Sequence, residues 1–207
     1  MTSGHDTRAG RHRLSVAMTL AAMLAAAPAS RAATAEAGEG WGLAQLMHEL
    51  GQVKSASGQF VERKTLHMLT EPLVSSGTLL YVAPDQVQKI TVSPKRERFA
   101  LDGDTLTMEG ADGSRTLSVL DYPEIGAFVA GVRATLAGDL PALYRFYAVD
   151  LQGSNEAWQL VLTPVEPRLR RLVRSIRILG SGNRIREIET EERDGDRSEM
   201  SVAEDVR

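Results

Sequence analysis

The chain has 207 residues, no cysteine, four histidines and a net charge of −3. Lack of cysteine excludes disulfides, thiol nucleophiles, thiolate metal sites and a lipid-bearing N-terminal cysteine. Four arginines and one aspartate in residues 1–32 contribute +3, so residues 33–207 carry −6; this argues against a nucleic-acid partner, because neutralising phosphates needs a net basic face.

Residues 1–32 are laid out as a secretory leader. Arg8, Arg11 and Arg13 precede an apolar run from Leu14 to Ala29, broken by Ser15 and Thr19, and small residues follow. Cleavage is expected between residues 29 and 35. The run falls short of the ~20 residues of a spanning helix. Residues 33–40 read as a flexible lead-in and 41–207 as a single domain. Trp41 to Val53 places Leu43, Leu46, Met47, Leu50 and Val53 on one helical face.

The period then changes to two. Strands are predicted from Phe60 through Glu62, over Ser76–Val82, Gln88–Val92, Arg96–Leu101, Thr105–Glu109 and Arg115–Leu120, with turns at Asp102–Gly103–Asp104 and Asp112–Gly113. Pro123 and Glu124 open a helix whose stripe is Ile125, Phe128, Val129, Val132 and Leu136. Gly138 ends it, and Pro141 starts a second short helix. Strands resume at Ala148–Leu151, Trp158–Thr163, Leu172–Leu179, Ile185–Glu192 and Ser198–Val202. Arg174 and Arg177 on one of these face Glu187, Glu189 and Glu191 on the next, and pairing between them would fix register. The fold class is mainly β: a curled antiparallel sheet, an unclosed half-barrel of about eleven strands, with helices covering an apolar cavity. The inward positions Phe60, Leu79, Tyr81, Ile90, Val92, Phe99, Leu101 and Met108 would line that cavity.

No catalytic constellation is present. His48 and His67 are far apart in sequence and outside any metal-ligand spacing, and no serine lies in a nucleophile-elbow pattern. Asp102–Gly103–Asp104 and Asp194–Gly195–Asp196 read as hairpin turns, because the rest of a calcium loop is missing. The expectation is a non-enzymatic protein with no metal and no cofactor. Arg168, Arg170, Arg171 and Arg174 form a dense basic stretch that reads either as a solvated, paired face or as a docking patch for an anionic partner.

The order and spacing of short motifs resemble the LolA-like outer-membrane lipoprotein carriers. They are Ser57 to Lys64 (SGQFVERK), Gly77 to Pro84 (GTLLYVAP), Asp102 to Leu106 (DGDTL), Leu160 to Pro164 (LVLTP) and the closing run Ile185 to Val202. The resemblance implies an incomplete barrel with a helical lid over an apolar cavity, and a soluble periplasmic monomer. It also implies acylated lipoprotein or lipid cargo, taken from an inner-membrane transporter and passed to an outer-membrane acceptor. One position departs from it. The best-known carriers have an arginine before the proline that ends the second strand, and it holds the lid; here Ala83 stands there. The resemblance is therefore to a divergent branch, some of whose members are thought to serve lipid export. The alternative is a non-transporting periplasmic lipid or lipoprotein sensor, or an adaptor of an inner-membrane export complex.

Overall fold

Short links between period-two segments leave successive strands no option but to pair with their neighbours. In the computed structural model, which describes residues 41–204, this gives one antiparallel sheet of eleven strands. The strands are β1 Ser55–Thr65, β2 Leu73–Val82, β3 Gln86–Ser93, β4 Glu97–Asp102, β5 Thr105–Gly110 and β6 Gly113–Ser118. After the helices follow β7 Tyr147–Ser154, β8 Ala157–Pro164, β9 Val173–Ser181, β10 Arg184–Glu192 and β11 Arg197–Glu204. Their order is β6-β5-β4-β3-β2-β1-β11-β10-β9-β8-β7. The first and last strands meet in the middle, with Phe60 opposite Val202. β6 and β7 are left as free edges, so the sheet is unclosed. The expected leader and lead-in lie outside the described residues.

Among the described residues four helices accompany the sheet: α1 Leu43–Gly51, α2 Pro123–Leu136, α3 Leu140–Leu143 and α4 Leu169–Leu172. Among the described residues none is long and apolar enough to cross a membrane. A 3₁₀ turn at Val119–Asp121, whose Leu120 N–H donates to Ser118 Oγ, leads into α2. Gly138, at φ +67°, ends the run after α2, and Asp139 caps α3 by accepting from Ala142 N. Several boundaries differ from the periodicity: β1 begins at Ser55 rather than Phe60 and β2 at Leu73 rather than Ser76, and two strand ends give way to helical turns. Leu120 belongs to the 3₁₀ turn rather than to β6. Leu172 belongs to α4, because the Glu166 carboxylate accepts from the Arg168 and Leu169 N–H groups and starts a helical turn there.

Alternation puts one face of every strand inward, and the inward set is continuous across β11 and β10. Phe60, Met200, Ile188, Ile178 and Leu160 lie on it, all buried. The outward face of β9 and β10 carries the expected charge ladder, with Arg174 to Glu191 at 2.9 Å and Arg177 to Glu189.

β3 corrects the sequence reading. Its inward residues are Val87, Lys89 and Thr91; Ile90 is half-buried on the outer side and Val92 is 57% exposed. Ile90 and Val92 therefore do not line the interior. With a period of two, one inward contact fixes the whole strand, and Val87 sits between Tyr81 and Leu101 on the inner face. Counting apolar side chains favoured the other parity, because it treated Lys89 as an outside residue. Lys89 is 1% exposed and donates to Glu62 Oε2 at 2.6 Å. Glu62 also accepts from Ser75 Oγ at 3.2 Å and Ser198 Oγ at 2.8 Å. The ammonium lies 5.0 Å from the centre of the Phe60 ring. Burial pulls the Lys89 pKa down, and Glu62 opposes that shift.

Candidate functional site

An amphipathic helix cannot leave its apolar stripe in water, and a sheet with an apolar face needs a cover. α2 answers both needs. Ile125, Phe128, Val129 and Leu136 are buried, and Val132 is half-buried against the core. Gly131 lets the helix come down onto the Tyr147 ring: a Cβ there would lie 2.4 Å from Tyr147 Cε2. The far end of α2 meets α1 through two glycines. A Cβ on Gly138 would lie 2.0 Å from Met47 O, and one on Gly51 would lie 2.8 Å from Ala137 O.

Two apolar clefts flank this helix. The first lies between the end of α1 and the start of β1, with Leu50, Val53, Leu79, Tyr81 and Val87 among its walls; its volume is about 80 Å³. The second lies under α2, bounded by Phe128, Val132, Tyr147, Leu162 and Ile176, and holds about 30 Å³. Leu136 and Ile185 belong to both walls. An apolar cavity of about 150 Å³ is enough for benzene. Neither cleft reaches that size.

The sequence-predicted residues are distributed as follows. Leu79 and Tyr81 line the first cleft, and Phe128, Val132 and Leu136 the second, with Leu136 shared. Phe60, Phe99, Leu101, Ile125 and Val129 are buried in the core, and Met108 packs against it partly buried. Periodicity missed Ile185 and Tyr147. Ile185 begins a strand the periodicity predicts, but nothing in the sequence places it in the same walls as Leu136. Tyr147 lies one residue before the predicted start of β7.

Ala83 is half-buried against the core and has no side chain that could bond to a helix. A polar tie on α2 comes from elsewhere: Arg133 donates from Nη1 to Asp104 Oδ1 in the β4–β5 turn at 3.1 Å. Of the four arginines in the expected docking patch, Arg174 is paired with Glu191, so its charge is already matched. Arg168, Arg170 and Arg171 stand exposed on α4 around the buried Leu169.

His67, distant from the last hairpin in sequence, is brought to it. Its backbone N–H and its Nδ1 both lie 2.8 Å from Asp196 Oδ1, and Asp194 is close by. The contact ties the β1–β2 loop to the β10–β11 turn. Beside it, burial raises the Glu192 pKa to about 7; Lys64 opposes the shift, while Asp194 and Asp196 add to it.

A family model described as "Outer membrane lipoprotein carrier protein LolA-like" matches residues 25–205. Among solved structures, the chain is similar to a LolA superfamily protein from Nitrosomonas europaea. That match has 9% identity and a TM-score of 0.43, covering 78% of this chain and 92% of that one. It is similar also to a putative outer membrane lipoprotein-sorting protein domain from Vibrio parahaemolyticus, with 11% identity, TM-score 0.40, and coverage of 80% and 90%. The Pseudomonas aeruginosa MucA/MucB complex matches with 12% identity and TM-score 0.45, over 79% of this chain and 57% of that one. No curated protein matches the sequence.

Proposed function

Because this chain belongs to the outer membrane lipoprotein carrier protein LolA-like family, we propose that it is a periplasmic carrier. It takes acyl chains of a lipoprotein or lipid into the hollow under α2 and moves them towards the outer membrane. The observation that carries this reading is that two apolar clefts share Ile185 and Leu136, the latter a residue of the lid itself. Raising the end of α2 withdraws Leu136 from the shared wall and joins the clefts into a single channel.

The energetics suit a shuttle. Burying a methylene contributes about 0.8 kcal/mol, so a sixteen-carbon chain gains roughly 10 kcal/mol. A lid whose own apolar side chains occupy the empty hollow must be displaced first, which lowers the net affinity and allows release. The exposed Arg168, Arg170 and Arg171 give such a carrier a basic patch for an anionic surface of the transporter or acceptor.

A second reading has one observation in its favour. The β1–β3 part of the inner face is filled by Phe60, Lys89 and Glu62 rather than left open, as would suit a lipid sensor or adaptor that carries nothing. Binding of a palmitoylated peptide by the purified protein, with mass spectrometry of lipids that co-purify from the periplasm, separates the two. The carrier reading expects one acyl chain per protein. It also expects Leu136→Trp, which enlarges the shared wall, to weaken a sixteen-carbon ligand more than an eight-carbon one. A wild-type protein that binds neither ligand and carries no lipid overturns the carrier.

A further inference from the structure

Tyr147 begins β7, at one edge of the sheet, and its side chain points inward at 1% exposure. Its hydroxyl has no hydrogen-bond partner among the described residues. It lies on the wall of the second cleft, where every other side chain is apolar except Thr135. Thr135 is already satisfied, since its Oγ1 donates to Gly131 O at 3.0 Å. α2 covers the phenol closely: a Cβ on Gly131 would lie 3.0 Å from Tyr147 Oη.

A hydroxyl held in an apolar wall without a partner is a standing penalty in the closed state, and it is relieved when an acceptor arrives. Burial pushes the phenol pKa well above its usual value, so the group stays neutral and remains a donor. No charged side chain lines this cleft. A carboxylate or phosphate would therefore be stranded there, whereas a neutral carbonyl would not.

We propose that Tyr147 Oη donates a hydrogen bond to the ester or amide carbonyl of an acylated ligand once α2 has lifted. The contact sets the ligand's direction: carbonyl at the β7 edge, tail running past Leu136 and Ile185 towards α1. This inference rests on the acyl-binding reading above, and names the feature of the ligand that the hollow recognises.

Two ligands test it: a short peptide bearing a palmitoyl ester on serine, and the same peptide bearing an S-hexadecyl thioether on cysteine, which has the tail without the carbonyl. Tyr147→Phe is expected to weaken binding of the ester by roughly two- to tenfold and to leave the thioether unchanged. Equal effects on both ligands, or none on either, overturn the proposal while the carrier reading stands. Failure of the wild type to bind either ligand overturns the carrier reading itself. Infrared spectroscopy of the wild type with an isotope-labelled ester carbonyl reads the same contact without any variant. A band shifted down from its position in hydrocarbon is expected, and an unshifted band overturns the proposal.

Discussion

Gly131→Ala separates a movable lid from an ordinary core helix by the signs of its effects. The added Cβ would stand 2.4 Å from Tyr147 Cε2, against the 3.4–4 Å of ordinary contact. The helix and the ring must therefore part by about 1 Å. Overpacking of this kind costs about 1–3 kcal/mol, while on an uncovered helix glycine to alanine stabilises by about 1 kcal/mol. The net expectation is a loss of about 0–2 kcal/mol in urea unfolding. The start of β7 is tied down beside Tyr147 by Val165 N–H, which donates to Phe146 O at 2.8 Å, so the strain lifts α2 rather than the strand. Shifting the lid equilibrium by 1–2 kcal/mol towards open raises a small open population by about 5–30-fold, and apparent affinity rises with it. Titration with a hydrophobic fluorophore should then show a protein that is less stable yet binds more tightly. A variant that gains about 1 kcal/mol with unchanged binding refutes the seating of α2 on the ring. Loss of stability and binding together refutes the lid.

Two further predictions concern the polar groups of the inner face. Lys89→Met leaves Glu62 buried without its cation, and should cost about 3–5 kcal/mol in urea unfolding. The double change Lys89→Met with Glu62→Leu should recover most of that loss, and failure to recover would show that the pair is worth more than its apolar replacement. Glu192 binds its proton more tightly when folded, its pKa being raised from 4.5 to about 7 by burial. The folded state then holds more protons than the unfolded one between those values, so stability falls as pH rises through that window. Glu192→Gln should flatten this slope, which amounts to no more than about 3 kcal/mol. Unfolding midpoints at pH 5 and pH 8 compare the two proteins, and an unchanged slope removes Glu192 as its source.

How much of this could be read in the sequence depended on whether the signal was local. The alternation in TLLYV over residues 78–82, the turn residues at 102–104 and 194–196, and the stripe from Ile125 to Leu136 each specify an element through neighbours a few residues away. Those signals gave the meander, the inserted helix and the mainly β class, and their order carried the family resemblance. They also exposed the missing arginine at Ala83.

What local pattern cannot supply is the identity of partners across the sheet. Ile90 and Val92 look inward on composition, and only the seating of Val87 between Tyr81 and Leu101 turns them out and Lys89 in. A lysine is tolerable there because Glu62 arrives from a strand 27 residues away. Tyr147 has no distinguishing neighbours in the chain; the role proposed for it rests on Gly131 lying over it and on its hydroxyl having no partner among the described residues. Leu136 and Ile185 are ordinary apolar residues until the fold sets both of them in the walls of the same two clefts. Hydrophobic periodicity is a property of consecutive residues, so the sequence alone determined which elements form and which of their faces are apolar. Register, burial of charge and the shared walls of the clefts arise between distant segments, and only the tertiary structure decided them.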